Sequence, residues 1–250
     1  MSIVFQFRRK NVFRFAFLVA MTLLATASVS SARVVKKKSS PPPQVITSCI
    51  KRKTVALTFD DGPAQFATDV ADALDAVGGK GTFFLNGNNH VNIFEPKARN
   101  TTKYLFDHGH QIASHTWTHP NLNTLTRKQI VSEFKKNDDA LYEILKIRSA
   151  FMRPPFGEYN DLVLSVARER GQRLVMWDLD TRDALGAKAE DSMKAIDNFA
   201  EKRPKNMLIL MHDIIEPTVH RVVPHAIKVL SKAGYRLVTV AECLGLPAYQ

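Results

Sequence analysis

The first 53 residues of this 250-residue chain contain no acidic side chain, and the whole chain contains only two cysteines. The missing acids decide what the formal charge of +11 means. Arg8, Arg9, Lys10 and Arg14 stand in residues 1–32, and Arg33, Lys36, Lys37, Lys38, Lys51, Arg52 and Lys53 stand in residues 33–53. Once these cations are set aside, residues 54–250 are close to neutral. A folded basic face is therefore excluded, and nucleic acid is not an expected partner.

The chain also lacks an apolar run of full membrane-spanning length. "FAFLVAMTLLATASV" is short for a transmembrane helix, is preceded by the positive stretch "RRKNVFR" and is trailed by the small residues "SVSSA". Residues 1–32 thus read as a secretory signal peptide cleaved near Ala32, with Ala27 as a second candidate and an uncleaved anchor as the alternative. No stable membrane span is expected, and the destination is secreted, extracellular or cell wall. "VVKKKSSPPPQ" reads as a solvated, partly polyproline spacer, and the linker is set at 33–51. In an exported chain Cys49 and Cys243 are expected to form a disulfide that clips the N-terminal segment onto the last strand; two buried thiols are the alternative. A monomer is expected.

From Thr54 onward, short β-rich runs alternate with longer amphipathic ones. The apolar runs are "TVALTF", "GTFFL", "HQIAS", "AFM", "RLVMWDL", "NMLILM" and "YRLVTV". Between them lie "ATDVADALDAVGG", "RKQIVSEFKKNDDALYEIL", "NDLVLSVARERG", "DSMKAIDNFAEKR" and "VPHAIKVLSKAG", all with helical periodicity. Thr126 and Gln129 have capping-box spacing, and Gly78, Gly171 and Gly234 stand where helices should end. The alternation implies an α/β fold with a parallel sheet, either an incomplete (β/α) barrel or an open doubly wound sheet.

The reactive residues fall on that map in one place. Asp60 and Asp61 come after the first strand, Asn86 after the second, His115 after the third, Arg153 after the fourth, Asp180 and Asp183 after the fifth, and His212 after the sixth. All are at strand C-terminal ends, the rim on which α/β barrels carry their sites. His115 and His119 in "SHTWTHP", with one carboxylate, make a two-histidine, one-aspartate metal set with open positions. One aspartate of the Asp60–Asp61 pair can then bind the ion while its neighbour stays free as a base. Arg153, ahead of two prolines, can pair with the free aspartate. His212 can donate a proton to a leaving group, and Asp180 or Asp183 can orient it.

"TFDDGP", "SHTWTHP", "RPPFG", "DTRDA" and "LILMHD", in this order, resemble the five motifs of the polysaccharide deacetylase (NodB-homology, carbohydrate esterase family 4) domain. The wording "IASHTWTHPNL" and "TVAECLG" is most similar to secreted fungal chitin deacetylases. The resemblance covers about residues 52–245, leaving 246–250 as a tail, and implies a distorted, incomplete (β/α)7-type barrel. It implies a hydrolase that removes N-acetyl groups from chitin or another N-acetylglucosamine polymer, with Zn2+ as cofactor and Co2+ as a substitute. Acetylxylan or peptidoglycan as substrate, and a non-catalytic wall-binding role, are the alternatives. Carried over by position, Asp60 matches the base, and Asp61, His115 and His119 match the metal ligands. Arg153 matches the residue that tunes the base, Asp183 orients the acid His212, Phe156 offers the oxyanion-binding N–H, and Leu210 lines the methyl pocket. Phe156 replaces a usual Tyr, and Ala184 replaces a usual Trp, which opens one wall of the pocket. "NTT" at Asn100 is a glycosylation sequon.

Overall fold

The computed structural model describes residues 44–250. The expected signal peptide, and the part of the expected linker before residue 44, lie outside the described residues. Within the described residues, nine parallel strands form one curled sheet: β1 (Val45–Ile46), β2 (Thr54–Asp60), β3 (Thr82–Leu85), β4 (Gln111–Ser114), β5 (Phe151–Met152), β6 (Arg173–Val175), β7 (Leu179–Asp180), β8 (Met207–His212) and β9 (Arg236–Leu237). Their order is β1-β6-β5-β4-β3-β2-β8-β7, with β9 pairing β2. The last long strand thus pairs with the first, as in a barrel. Among the described residues no ladder joins β6 to β7, so the ring stays open there. The architecture is a distorted, incomplete (β/α) barrel.

Seven helices accompany these strands: α1 (Ala67–Asp75), α2 (Pro96–Asp107), α3 (Arg127–Leu145), α4 (Asp161–Glu169), α5 (Ala189–Glu201), α6 (Val223–Lys232) and α7 (Val240–Leu244). α3 starts where the sequence places it, with the Thr126 N–H donating to Gln129 Oε1 at 2.9 Å. Gly78, Gly171 and Gly234 all take positive φ just past helix ends. α1 buries Ala67, Val70, Ala71 and Leu74, the stripe one helical face presents to a sheet. Among the described residues no helix is long and apolar enough to cross a membrane.

Side-chain alternation along the strands sorts the core into two layers. On β2, Val55, Leu57 and Phe59 face outward into the helix-packed cluster, as do Met207, Ile209 and Met211 on β8. The inward set contains Ala56, Phe84, Ala113, Phe151, Val175 and Leu208, a second cluster that also holds Val240, Ala241, Cys243 and Leu244 of α7. Extending each inward row by steps of two reaches Asp60, Asn86, His115, Arg153, Trp177 and His212. The same period that fills the barrel's middle therefore aims the polar residues into its upper end.

Four expectations change. Val45–Ile46, within the stretch assigned to the linker, pair with Leu174–Val175. The run "RLVMWDL" splits into β6 and β7, because the chain leaves the sheet at Met176–Trp177. Cys49 and Cys243 do form a disulfide, but Cys243 lies on α7 rather than on a strand. The N–H groups of Ile50 and Lys51 both donate to the Cys243 carbonyl, so the clip is reinforced by backbone. Residues 246–250 are not a free tail: Tyr249 bridges Ser149, and Gln250 Nε2 donates to the Ser149 and Arg170 carbonyls.

Candidate active site and metal centre

Asp60 and His212 are register partners on adjacent strands, the last residues of β2 and β8. Both side chains point inward, so they face the same pocket across one strand spacing. Asp61 would point outward if β2 continued. Its φ of 75° instead turns it back over the rim, a left-handed conformation that is uncommon outside glycine and in which aspartate is among the better-tolerated residues. Gly62 comes next, with its α-carbon against the fully buried Asp213: a Cβ there would sit 2.7 Å from Asp213 Oδ2. A larger residue at position 62 would have to displace the Asp213 and Leu85 side chains.

Arg153 is fully buried, and its guanidinium is held on every side. Nη1 donates to Asp60 Oδ1 at 2.7 Å and to Thr58 Oγ at 2.8 Å. Nε and Nη2 donate to the carbonyls of Val175 and Met176, each at 2.9 Å. The guanidinium carbon lies 4.2 Å from the Phe84 ring centroid, which adds cation–π attraction. Burial pushes the Asp60 carboxyl above its ordinary value, against the pull of the Arg153 and His212 charges. The net upward shift makes Asp60 a stronger base than a solvated carboxylate, while the arginine fixes its orientation. The pairing with Arg153 expected from the sequence is present, and the desolvation is a further contribution that the sequence does not show.

Asp61 Oδ1, His115 Nε2 and His119 Nε2 converge. His119 is 3.3 Å and His115 3.6 Å from Asp61 Oδ1, and all three donor atoms lie within 4.8 Å of one another. Burial lowers the pKa of His115 to about 3 and lowers that of His119, so both imidazoles are neutral near pH 7. His115 Nδ1–H donates to the Arg153 carbonyl at 2.8 Å, which leaves the Nε2 lone pair for an ion. Asn86 Nδ2 donates to the carbonyls of His115 and Thr116, fixing the loop that carries both histidines. His119 itself has φ 57° and Thr116 φ 71°. Two neutral imidazoles and one carboxylate at these separations fit a divalent cation with ligand bonds of ~2.0–2.2 Å and an open position.

Across the pocket, His212 Nδ1–H donates to Asp183 Oδ1 at 2.8 Å. Burial alone would lower His212, but the hydrogen bond and charge of Asp183, with the nearby charges of Asp60 and Asp61, lift the imidazole to about 9. Asp180 does not join this pair; its Oδ1 accepts the Arg182 N–H at 2.7 Å. Of the two acids left open by the sequence, Asp183 is therefore the partner. Phe156 sits on a 310 turn at φ 61°, with its ring 4.8 Å from that of His119. Leu210 stands two residues before His212 on the inward row of β8 and lines the pocket floor. The pocket measures about 320 Å3, and the five motifs supply most of its wall, Ala184 included. Arg182, inside "DTRDA" but given no role in the sequence, lines it too, as do Trp177 and Leu185, which lie outside the five motifs.

A family model described as polysaccharide deacetylase matches residues 47–175. The chain belongs to the polysaccharide deacetylase family. As a polysaccharide deacetylase it is a hydrolase acting on amide bonds. A chitin deacetylase of Pestalotiopsis sp is 37% identical, over 89% of this chain and 74% of the relative. A probable peptidoglycan-N-acetylglucosamine deacetylase of Arthroderma benhamiae is 35% identical, over 82% of this chain and 47% of the relative. The chain thus spans about half the length of that polysaccharide deacetylase and three quarters of the other. The solved chitin deacetylase of Colletotrichum lindemuthianum superposes with a TM-score of 0.79 at 32% identity, covering 84% of this chain and 97% of that one.

Proposed function

We propose that this chain is a secreted, metal-dependent N-deacetylase that hydrolyses the N-acetyl groups of chitin or chitin oligosaccharides to chitosan and acetate. Relatives named as chitin deacetylases, matched over most of both chains, support the substrate class. The observation that carries the reading is the division of one pocket. A buried base, Asp60 on Arg153, lies on one side, and a carboxylate-held acid, His212 on Asp183, lies on the other. The expected exit signal and the disulfide support an extracellular or cell-wall location.

Asp61, His115 and His119 would hold Zn2+, with Co2+ as a substitute. When bound, the ion supplies Lewis-acid polarisation and lowers the pKa of water. Asp60 accepts the proton of the attacking water, and the arginine keeps its carboxylate aimed at that proton. The backbone N–H of Phe156 donates to the acetyl oxygen as negative charge grows there. Leu210 packs against the acetyl methyl group. His212 delivers its Nε2 proton to the sugar nitrogen as the C–N bond breaks, so the amine leaves neutral and acetate remains. Asp183 stabilises the imidazolium before transfer and holds the tautomer after it. Ala184 leaves space beside the acetyl group.

The test is acetate release with the single variants Asp60→Asn and His212→Asn. Both should bind chitin oligomers and neither should turn them over. Full activity in either variant removes the corresponding role. A peptidoglycan substrate is the second reading, favoured by the 35% identical relative of that name; acetate release from peptidoglycan fragments but not from chitin oligomers would establish it.

A further inference from the structure

The pair formed by His212 and Asp183 is held from a third side. Asp183 is 6% exposed, and its two oxygens accept four hydrogen bonds. Oδ1 takes His212 Nδ1–H at 2.8 Å and the Ala184 N–H at 2.9 Å. Oδ2 takes the His212 backbone N–H and the Thr218 hydroxyl, both at 2.9 Å. Three of these donors belong to His212 or to the residue next to Asp183. Among the described residues, Thr218 is the one side-chain donor to Asp183 besides His212.

Thr218 opens a π-helical turn, Thr218–Val222, between β8 and α6. Its side chain is buried, at 1% exposure. Wide turns of this kind cost hydrogen-bond quality and concentrate at functional sites. The rest of the turn buries Val219 and Val222 in the helix-packed core, and at the surface it pairs His220 with Asp69 on α1 and Arg221 with Glu190 on α5. Exposed pairs contribute little. The buried hydroxyl-to-carboxylate bond is the turn's polar link to the site.

A carboxylate rotates easily about its last bond, whose torsion is broad and two-fold. Two pinned oxygens are needed to stop it. We propose that Thr218 is a positioning residue for the proton donor: together with the His212 backbone N–H its hydroxyl pins Asp183 Oδ2, so that Oδ1 stays on His212 Nδ1–H and Nε2 stays turned toward the pocket. No bond is made or broken by Thr218. The inference rests on His212 being the acid of the proposed reaction, and its main readout does not need turnover.

The experiment uses the full chain with Thr218→Val, which keeps the volume and removes the hydroxyl, and Thr218→Ser, which keeps the hydroxyl. The His212 Nδ1–H proton is observed by NMR and assigned by its loss in His212→Asn. In Thr218→Val it should broaden or shift and kcat should fall ~10-fold or more with KM within about twofold, the size expected for losing one hydrogen bond to a buried charge. Thr218→Ser should restore both. An unchanged resonance and kcat in Thr218→Val overturns the inference, as does equal damage in Thr218→Ser, which would mean the methyl group matters and the hydroxyl does not. Thr218→Ala carries the same comparison if the valine variant does not fold. An active His212→Asn would sink the assignment of the acid without touching the NMR result, so the two failures are separable.

Discussion

Arg153 Nη1 lies 2.7 Å from Asp60 Oδ1, and both side chains are buried. A buried pair of this kind tolerates joint removal better than the loss of one member. Asp60→Asn should abolish measurable turnover, since a general base usually contributes ~10²–10⁴-fold. It should also leave the arginine without its counter-charge and destabilise the fold by about 3–5 kcal/mol in urea unfolding. The double variant Asp60→Asn, Arg153→Met should recover much of that stability and none of the activity. A double variant less stable than Asp60→Asn would show that the carbonyl contacts of Arg153, not its charge pairing, hold this part of the barrel.

Asp183 sets the alkaline limit. His212 must be protonated to act, and its pKa is lifted to about 9. The kcat/KM profile should therefore fall as pH rises through about 9. Asp183→Asn removes the largest of the contributions that raise His212, so the imidazole pKa drops and the alkaline limb moves to lower pH. The stability linkage has the same sign. A histidine raised above its unfolded value contributes stability that is fully present below about pH 6.5 and is lost as pH rises through about 9. Parallel pH–activity and pH–unfolding curves on wild type and Asp183→Asn check both.

Much of this site is legible in the sequence because β-strand alternation is strict. Once "TVALTF" and "NMLILM" are read as strands, Asp60 and His212 must end them, and the register pairs them. The doublet Asp60–Asp61 is harder: alternation sends neighbours to opposite faces, and only the left-handed turn at Asp61 brings them together. α3 is read to the residue because its cap and its apolar stripe agree. β1 is missed because two residues carry no period, and its pairing is decided by β6 far along the chain. α2 escapes because "PKARNTTKYLFD" is polar and threonine-rich, so its helix depends on burying Ala98, Thr101, Thr102 and Leu105 against the barrel. Trp177 continues the inward row of β6 past the break in the sheet, and an apolar run does not announce that break.

The neutral histidines bear on metal affinity. Chelation should abolish acetate release, and Zn2+ or Co2+ should restore it. His119→Ala should lower bound metal, read by elemental analysis, with the fold intact. Because the ion binds only the folded chain, saturating Zn2+ should raise the unfolding midpoint, by about 2.7 kcal/mol of stability at 100 times Kd. An unfolding curve indifferent to Zn2+ would contradict the assigned ligand set.

The Cys49–Cys243 bond closes a loop with a sequence separation of 194 residues. Loop entropy sets its contribution at up to about 5 kcal/mol. Cys243→Ser, or reduction of wild type, should lower the urea midpoint accordingly and leave the pocket intact, since α7 packs at the opposite end of the barrel from the rim. Loss of turnover in proportion to stability alone is the expected pattern. A change in KM at temperatures where the variant is fully folded would show that the clip shapes the site.

The central claim is that one pocket hydrolyses the N-acetyl groups of an N-acetylglucosamine polymer. The most direct measurement is the yield of acetate and of free amine from chitin tetramer, with acetylated xylan and peptidoglycan fragments alongside, at saturating Zn2+. Equal amounts of acetate and new amine are expected from the chitin tetramer, and neither product with Asp60→Asn. Binding of the tetramer without either product would contradict the claim, as would acetate from xylan alone.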